Sequence, residues 1–158
     1  MDKSLPFRLR KLSATEPLPM TLLLLADETT AAIEKYIHHS DVYVAYADRI
    51  SDPIAICALF RQEDDIVEIK NIAVNERYQG QGIGSWLLSE IKQLAREAGY
   101  KEVVVGTADA GYRQHSFYLR NGFVKSGIRK NFFIENYPEP IFENGLQLKD
   151  MILFKASL

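Results

Sequence analysis

At 158 residues, with 47% hydrophobic and 25% charged side chains, the chain has the length and composition of one globular domain, residues 1–158, able to bury a core. A formal net charge of −2 excludes a broad basic footprint, so neither nucleic acid nor an anionic membrane surface is an expected partner. Met1 to Met20 carries Pro6, Pro17, Pro19 and several charges, unlike a signal peptide, and the longest apolar run, Leu22 to Ala26, is too short to span a bilayer.

In chain order, Phe7 to Leu12 alternates loosely as a first strand. Ser13 and Thr15 offer N-caps for a helical stretch through Leu25, with Pro17 and Pro19 tolerable only in its first turn. A second helix is expected over Glu28 to Ile37, with Ala32, Ile33, Tyr36 and Ile37 as its apolar face. Asp41 to Ala47 and Pro53 to Gln62 are β-branched and aromatic, separated by the turn-like Asp48 to Asp52, and form an antiparallel pair. Ile66 to Val74 is the next strand and Arg77 to Gly82 a loop. The helix Ile83 to Ala98 places Ile83, Trp86, Leu87, Ile91, Leu94 and Ala95 on one face and stops at Gly99. Lys101 to Thr107 suits a strand covered on both sides. A short helix follows from Tyr112 to Asn121, ending at Gly122. Phe123 to Ile128 and Leu146 to Lys155 are two late strands joined by a long segment. The fold class is α+β: a mostly antiparallel mixed sheet of about six to seven strands flanked by helices, with one parallel crossover through the Ile83 helix.

Cys57 lies within the apolar run Ile54 to Phe60 and reads as a buried strand thiol. His38, His39 and His115 make no metal-ligand spacing with it or with one another, so no metal is expected. A cysteine content this low fits a reducing cytoplasm.

The chemistry concentrates at Gln79-Gly80-Gln81-Gly82-Ile83-Gly84, where an apolar strand turns directly into a helix. Glycines at alternate positions let the backbone bend steeply and approach a ligand closely. A helix start adds amides without intrahelical partners and the positive end of the dipole, so main chain alone can grip a phosphate or pyrophosphate. A Walker A loop would need Lys then Ser or Thr after its last glycine, but Gly84 is followed by Ser85 and Trp86. A dinucleotide fingerprint would need a third glycine where Ser85 stands and an acidic residue ending the next strand, which instead ends at Gly106-Thr107.

Gln79, Gly82 and Gly84 meet the remaining pattern, Gln/Arg-x-x-Gly-x-Gly/Ala, which resembles the acetyl-CoA pyrophosphate loop of the GCN5-related N-acetyltransferases, the GNAT family. The element order resembles that family's over essentially the whole chain. Ser116-Phe117-Tyr118-Leu119-Arg120-Asn121-Gly122-Phe123 resembles its Phe/Leu-Tyr-x-x-x-Gly-Phe segment, whose tyrosine hydroxyl lies near the acetyl-CoA sulfur. The resemblance implies acetyl-CoA as cosubstrate, held by Gln79, Gly80, Gln81, Gly82, Ile83, Gly84 and Ser85. It also implies a bulge that frees backbone groups around Ile72, Ala73 and Val74 for the pantetheine amides and the thioester oxygen. The family's Asn and Ala, seven and four residues before the tyrosine, are Gly111 and Gln114 here, so that pantetheine contact passes to Gln114 or to main chain.

By the same resemblance Tyr118 is the general acid: a phenol of reference pKa about 10 can protonate a departing thiolate. The alternative is a core tyrosine packed under the sheet. Glu68, eleven positions ahead of Gln79, matches the carboxylate that serves as base in histone-acetylating members. The alternative is pairing with Lys70, two residues on and on the same strand face. The implied reaction is direct acetyl transfer to a primary amine in a ternary complex. The acceptor site would draw on Asp27 to Ser40 and on Asn131 to Asp150, where Glu135, Glu139, Glu143 and Asp150 alternate with Phe132, Phe133, Tyr137 and Phe142. Such a lining suits a cationic amine, and a solvated loop with packed aromatics is the competing reading. Two other classes stay open: an acyl-CoA sensor without turnover, and a nucleotide-binding oxidoreductase, which NAD rather than acetyl-CoA would stabilise thermally. A homodimer is an analogy with relatives only.

Overall fold

The computed structural model describes residues 7–158; residues 1–6, the front of the Met1 to Met20 stretch, lie outside the described residues. The elements are β1 (Phe7–Lys11), α1 (Met20–Ala26), α2 (Thr30–Glu34), β2 (Asp41–Ala47), β3 (Ala55–Glu63), β4 (Ile66–Val74), α3 (Ile83–Glu97), β5 (Glu102–Ala108), α4 (Tyr112–Arg120), β6 (Val124–Arg129), α5 (Phe132–Asn136), β7 (Phe142–Glu143), β8 (Leu146–Gln147) and β9 (Met151–Ser157). Seven strands are hydrogen-bonded in the order β1-β2-β3-β4-β5-β9-β6, and β7 and β8 form a separate hairpin. β4 and β5 run parallel, in register from Ile66↔Glu102 to Ile69↔Val105; β1·β2, β2·β3, β5·β9 and β6·β9 are antiparallel. The α+β class with a mixed, mostly antiparallel sheet is therefore the observed one.

Contacts divide the chain into two compact units. The first holds the described residues up to Phe60 with Lys70–Ile91. Its core is Leu22 and Leu23 of α1, Ile33 of α2, Ile37, Val42 and Val44 of β2, Ile56 and Ala58 of β3, and Ala73 of β4. Trp86 adds its ring at 5.4 Å from Phe7. The second unit holds Arg61–Ile69 with Lys92–Leu158, and its buried residues include Val103 and Val105 of β5, Tyr118, Phe123, Phe154 and Ala156.

Two expected helices are shorter than their sequences suggested. The one expected from Ser13 to Leu25 begins only at Met20, after Pro19, because a proline disfavours helical backbone at the residue before it and Pro17 and Pro19 do so in succession. The helix expected over Glu28 to Ile37 is a five-residue α2 capped by Thr29, whose hydroxyl accepts the Ala32 amide at 3.1 Å, followed by a 3-10 turn at Ile37–His39. On α3 the buried stripe is Ile83, Leu87, Leu88, Ile91 and Ala95, with Trp86 and Leu94 half-buried at its margins. Gly99 and Gly122 stop their helices in the left-handed conformation at φ 92° and 86°. The long segment before β9 is not featureless: it contains α5 and the β7–β8 hairpin, turned through Asn144 (φ 53°) and Gly145 (φ 75°).

Cys57 is fully buried in β3, and burial pushes its thiol well up. A thiolate-directed disulfide reagent should leave the native chain unlabelled and titrate one thiol once denaturant is added; rapid labelling of native protein would contradict this placement.

Candidate active site

Strand β4 ends at Val74, and a 3-10 turn at Glu76–Tyr78 delivers the chain to the glycine loop. Asn75 caps that turn by accepting the Arg77 amide at 3.0 Å. Gln79 folds its side chain back, Nε2 donating to the Val74 carbonyl at 2.9 Å. It braces the loop against the strand end. Gly80 and Gly82 both adopt left-handed backbone, φ 76° and 82°, which costs an L-residue roughly 1–2 kcal/mol. A Cβ at either position would meet nothing within 4 Å. The conformation, rather than crowding, requires glycine there, and the loop stands open on the side a side chain would fill.

The first intrahelical bond of α3 runs from the Trp86 amide to the Gly82 carbonyl at 3.0 Å. The amides of Ile83 and Gly84 therefore lie ahead of the helix's own hydrogen-bond ladder, at the positive end of a 15-residue helix. Gln81 and Ser85 are exposed beside them. A cluster of such amides binds anions without any charged side chain.

In the second unit Glu68 is 3% exposed, and its Oε1 accepts from Arg129 Nη2 at 3.0 Å. Lys70, the partner considered from sequence, sets its ammonium over the Phe60 ring, 5.4 Å from the centroid. Arg129 Nη1 also lies 3.6 Å from Met151 Sδ. Met151 in turn fills the space over Gly106, where a Cβ would fall 2.2 Å from that sulfur. Glu68, Arg129, Met151 and Gly106 thus form one cluster, and a side chain at 106 would push the methionine toward the guanidinium. Arg129 was not legible as a site residue, because a charged residue ending a strand is ordinary.

Tyr118 is 4% exposed on α4, with its ring 5.4 Å from Phe123 and 5.9 Å from Phe154. Phe154 pairs with Val105, and Val105 with Ile69. Paired residues share a sheet face and successive residues alternate, so Glu68 belongs to the face opposite Tyr118. The outer stripe of α4, Tyr112, Arg113, Ser116 and Arg120, lines a depression of about 410 Å³. At the start of α4 a Cβ on Gly111 would lie 3.0 Å from Gln114 Oε1 and 3.1 Å from the Ala108 carbonyl.

The stretches expected to line an acceptor site are held in place. Asp109 accepts the Asp150 amide at 3.0 Å, and Asp150 accepts the Asn131 amide at 2.8 Å. Asn144 donates to the Ala110 carbonyl at 2.9 Å. The Asp150 carboxylate therefore serves the fold, while Glu135 and Glu139 are exposed. Phe133 stacks on Tyr137 at 5.8 Å and meets Phe132 edge-on at 5.2 Å. In the first unit Tyr36 donates to Asp27 Oδ2 at 3.1 Å, and burial drives its hydroxyl pKa up. Among the described residues no helix is long and apolar enough to cross a membrane, and no three His, Cys, Asp or Glu side chains assemble to hold a metal ion.

Comparison with known proteins supplies the frame for this geometry. The family model described as "Acetyltransferase (GNAT) domain" matches residues 38–125. An uncharacterized N-acetyltransferase of Bacillus subtilis, YvbK, is 36% identical over 132 residues, covering 83% of each chain. A GNAT family acetyltransferase from Elizabethkingia anophelis, solved with acetyl-CoA bound, superposes with a TM-score of 0.92 at 39% identity, covering 97% of this chain and 99% of that one. A Bacillus subtilis acetyltransferase solved with CoA gives a TM-score of 0.87 at 32% identity, covering 96% and 99%. The amide cluster ahead of α3 and these likenesses over nearly the full length lead to one conclusion: the chain belongs to the GNAT family of acetyltransferases and uses acetyl-CoA as its cosubstrate.

Proposed function

We propose that the whole chain acts as a single catalytic domain that moves the acetyl group of acetyl-CoA directly onto a primary amine within a ternary complex. The observation that carries this reading is the open, left-handed glycine loop at the start of α3, placed one short turn beyond the strand that bears Glu68. The amides of Gly80 to Gly84, with Gln81 and Ser85, clasp the diphosphate. Backbone groups of Ile72, Ala73 and Val74, which follow the stretch Ile66–Ile69 that pairs with β5, meet the pantetheine, and an amide there polarises the thioester oxygen as negative charge develops. Gln114 supplements them from α4.

Glu68 and Tyr118 belong to opposite faces of the sheet, which suits a base acting on the amine from one side and an acid acting on the leaving sulfur from the other. Glu68 takes a proton from the protonated amine directly or through water, the freed nitrogen attacks the carbonyl carbon, and as the C–S bond breaks Tyr118 protonates the leaving sulfur and recovers a proton from the nitrogen of the new amide. Arg129 positions the carboxylate. Holding two reactants in aligned geometry supplies much of the acceleration. The exposed Glu135 and Glu139 beside stacked aromatics favour a cationic amine.

Gly82→Val tests the loop. Valine strains the backbone and projects into the side that the diphosphate would occupy, so acetyl-CoA affinity should fall at least about tenfold, while the melting temperature without ligand drops only a few degrees. Thermal-shift titration with acetyl-CoA, CoA, NAD and ATP reads both. Undiminished stabilisation of the variant by acetyl-CoA would remove the loop from the binding site.

A further inference from the structure

Arg129 ends β6, the last strand in the sheet order, yet its guanidinium reaches Glu68 on β4. The strand register shows how. Glu68 lies beside Val104, and Val104, Gly106 and Ala108 point to one face of β5 because side chains alternate along a strand. Ala108 pairs with Met151 and Met151 with Arg129, so Glu68, Gly106, Met151 and Arg129 share that face on four neighbouring strands. Strands lie about 4.8 Å apart, so the arginine has two of them to cross. Gly106 leaves the space that Met151 fills, and Arg129 Nη1 meets the Met151 sulfur at 3.6 Å on the way.

A guanidinium has several N–H groups to give and accepts none. Here Nη2 gives one to Glu68 Oε1 at 3.0 Å, and Nη1 gives one to the methionine sulfur, a weak acceptor. The others, the Nε hydrogen included, have no acceptor among the described residues. Of the paired side chains the arginine is the one that solvent reaches, 33% exposed against 4% for Glu68. An amine that arrives at Glu68 therefore meets a fixed positive charge. A diamine would set its second cation against that charge, whereas an acceptor with an acid group near its amine brings a partner for it. Resting on the direct-transfer reading above, we propose that Arg129 binds an acid group of the acceptor, and that the substrate is an amino acid whose carboxylate lies one or two carbons from the reacting amine. Glu68 and Arg129 stand 3.0 Å apart, so the two ends that meet them must be close along the acceptor's own chain.

The ammonium then faces the Glu68 carboxylate while the acid group faces the guanidinium, each charge opposite its counterpart. During transfer the nitrogen gives one proton to Glu68 and a second, through Tyr118, to sulfur; the C–N bond forms, the C–S bond breaks with its electron pair on sulfur, and one hydrogen stays on the amide nitrogen. The acid group keeps its charge throughout. Its contact with Arg129 is the same before and after the chemistry, so it tightens acceptor binding and lowers KM more than it raises kcat. The cationic amine that Glu135 and Glu139 favour is narrowed accordingly, with its positive charge on the reacting nitrogen itself.

Thiol release at saturating acetyl-CoA, from the common α-amino acids and β-alanine and from the carboxamide of each, reads the preference, because only the acid group differs within a pair. For the best pair kcat/KM should be at least about tenfold higher for the acid, the effect of a charge-assisted hydrogen bond, with the difference in KM. In Arg129→Gln the ratio of acid to carboxamide should fall about tenfold, whatever the absolute rate of the variant. Loss of Glu68 positioning alone would slow both members of a pair and leave their ratio standing. A wild-type preference for carboxamides or simple alkylamines over every acid, or a ratio that survives in Arg129→Gln, would overturn the proposal and leave direct transfer intact. If the variant does not fold, titration of CoA-loaded wild type with the N-acetyl amino acids and their carboxamides decides, and equal affinities would overturn the proposal. Thiol release with none of these amines, despite thermal stabilisation by acetyl-CoA, would instead sink the direct-transfer reading, and this proposal with it.

Discussion

Tyr118→Phe is expected to lower kcat by about a hundredfold to ten-thousandfold, the range in which a positioned acid or base contributes, while acetyl-CoA affinity stays within about twofold. The substitution removes one hydroxyl and keeps the ring. Phenylalanine can make the same contacts with Phe117, Phe123 and Phe154, at 5.2, 5.4 and 5.9 Å, so the packing of α4 on β9 is preserved and the loss falls on turnover. The effect belongs to the leaving group: without the phenol, sulfur must depart as an unassisted thiolate. Thiol release under saturating acetyl-CoA and amine measures kcat, and thermal shift measures binding. Turnover within a few fold of wild type would make Tyr118 a packing residue beneath Phe154 and return the acid role to solvent.

The second large effect is expected from Glu68→Gln, with kcat/KM for the amine falling about a hundredfold at pH 7. An alkylamine with a reference pKa near 10.4 is mostly protonated at that pH, and only its neutral form attacks. Without the carboxylate the variant depends on the neutral amine supplied by solution, so its rate should climb about tenfold per pH unit toward the pKa of the amine. The gap from wild type should therefore narrow as pH rises. A loss that stays constant across pH would indicate that Glu68 only anchors Arg129. Glutamine retains the shape of the side chain, and the Arg129 side chain, 33% exposed, keeps access to water, so the ion pair can be broken here without stranding a buried cation.

Much of the fold was legible because its determinants are local. β2 and β4 carry the bounds that alternation and β-branched content assign to them. Gly99 and Gly122 end their helices as positive-φ stops, and the start of α3 is where the glycine loop requires it. The misjudged elements are those in which local tendencies conflict. Ser13 and Thr15 invite a helix that Pro17 and Pro19 refuse, and α5 with the β7–β8 hairpin is held by the Asp109, Asp150, Asn131 and Asn144 bonds rather than by a periodic pattern. Asn71 had a visible signal, a lone amide in an apolar strand, yet its partners lie 48 and 35 residues away at Leu23 and Tyr36.

By itself the sequence determined the glycine loop, the helix that follows it and the strand that precedes it, since backbone torsions and unfilled helix amides are set within a few residues. Which side chains meet was decided only by the tertiary structure. Glu68 finds Arg129 across 61 residues, and the Asn71 amide nitrogen donates both to the Leu23 carbonyl of α1 and to the Tyr36 hydroxyl just beyond α2. Hydrogen bonds and ion pairs form over about 3 Å, and chain segments this distant in sequence reach that separation only when the sheet and its helices pack.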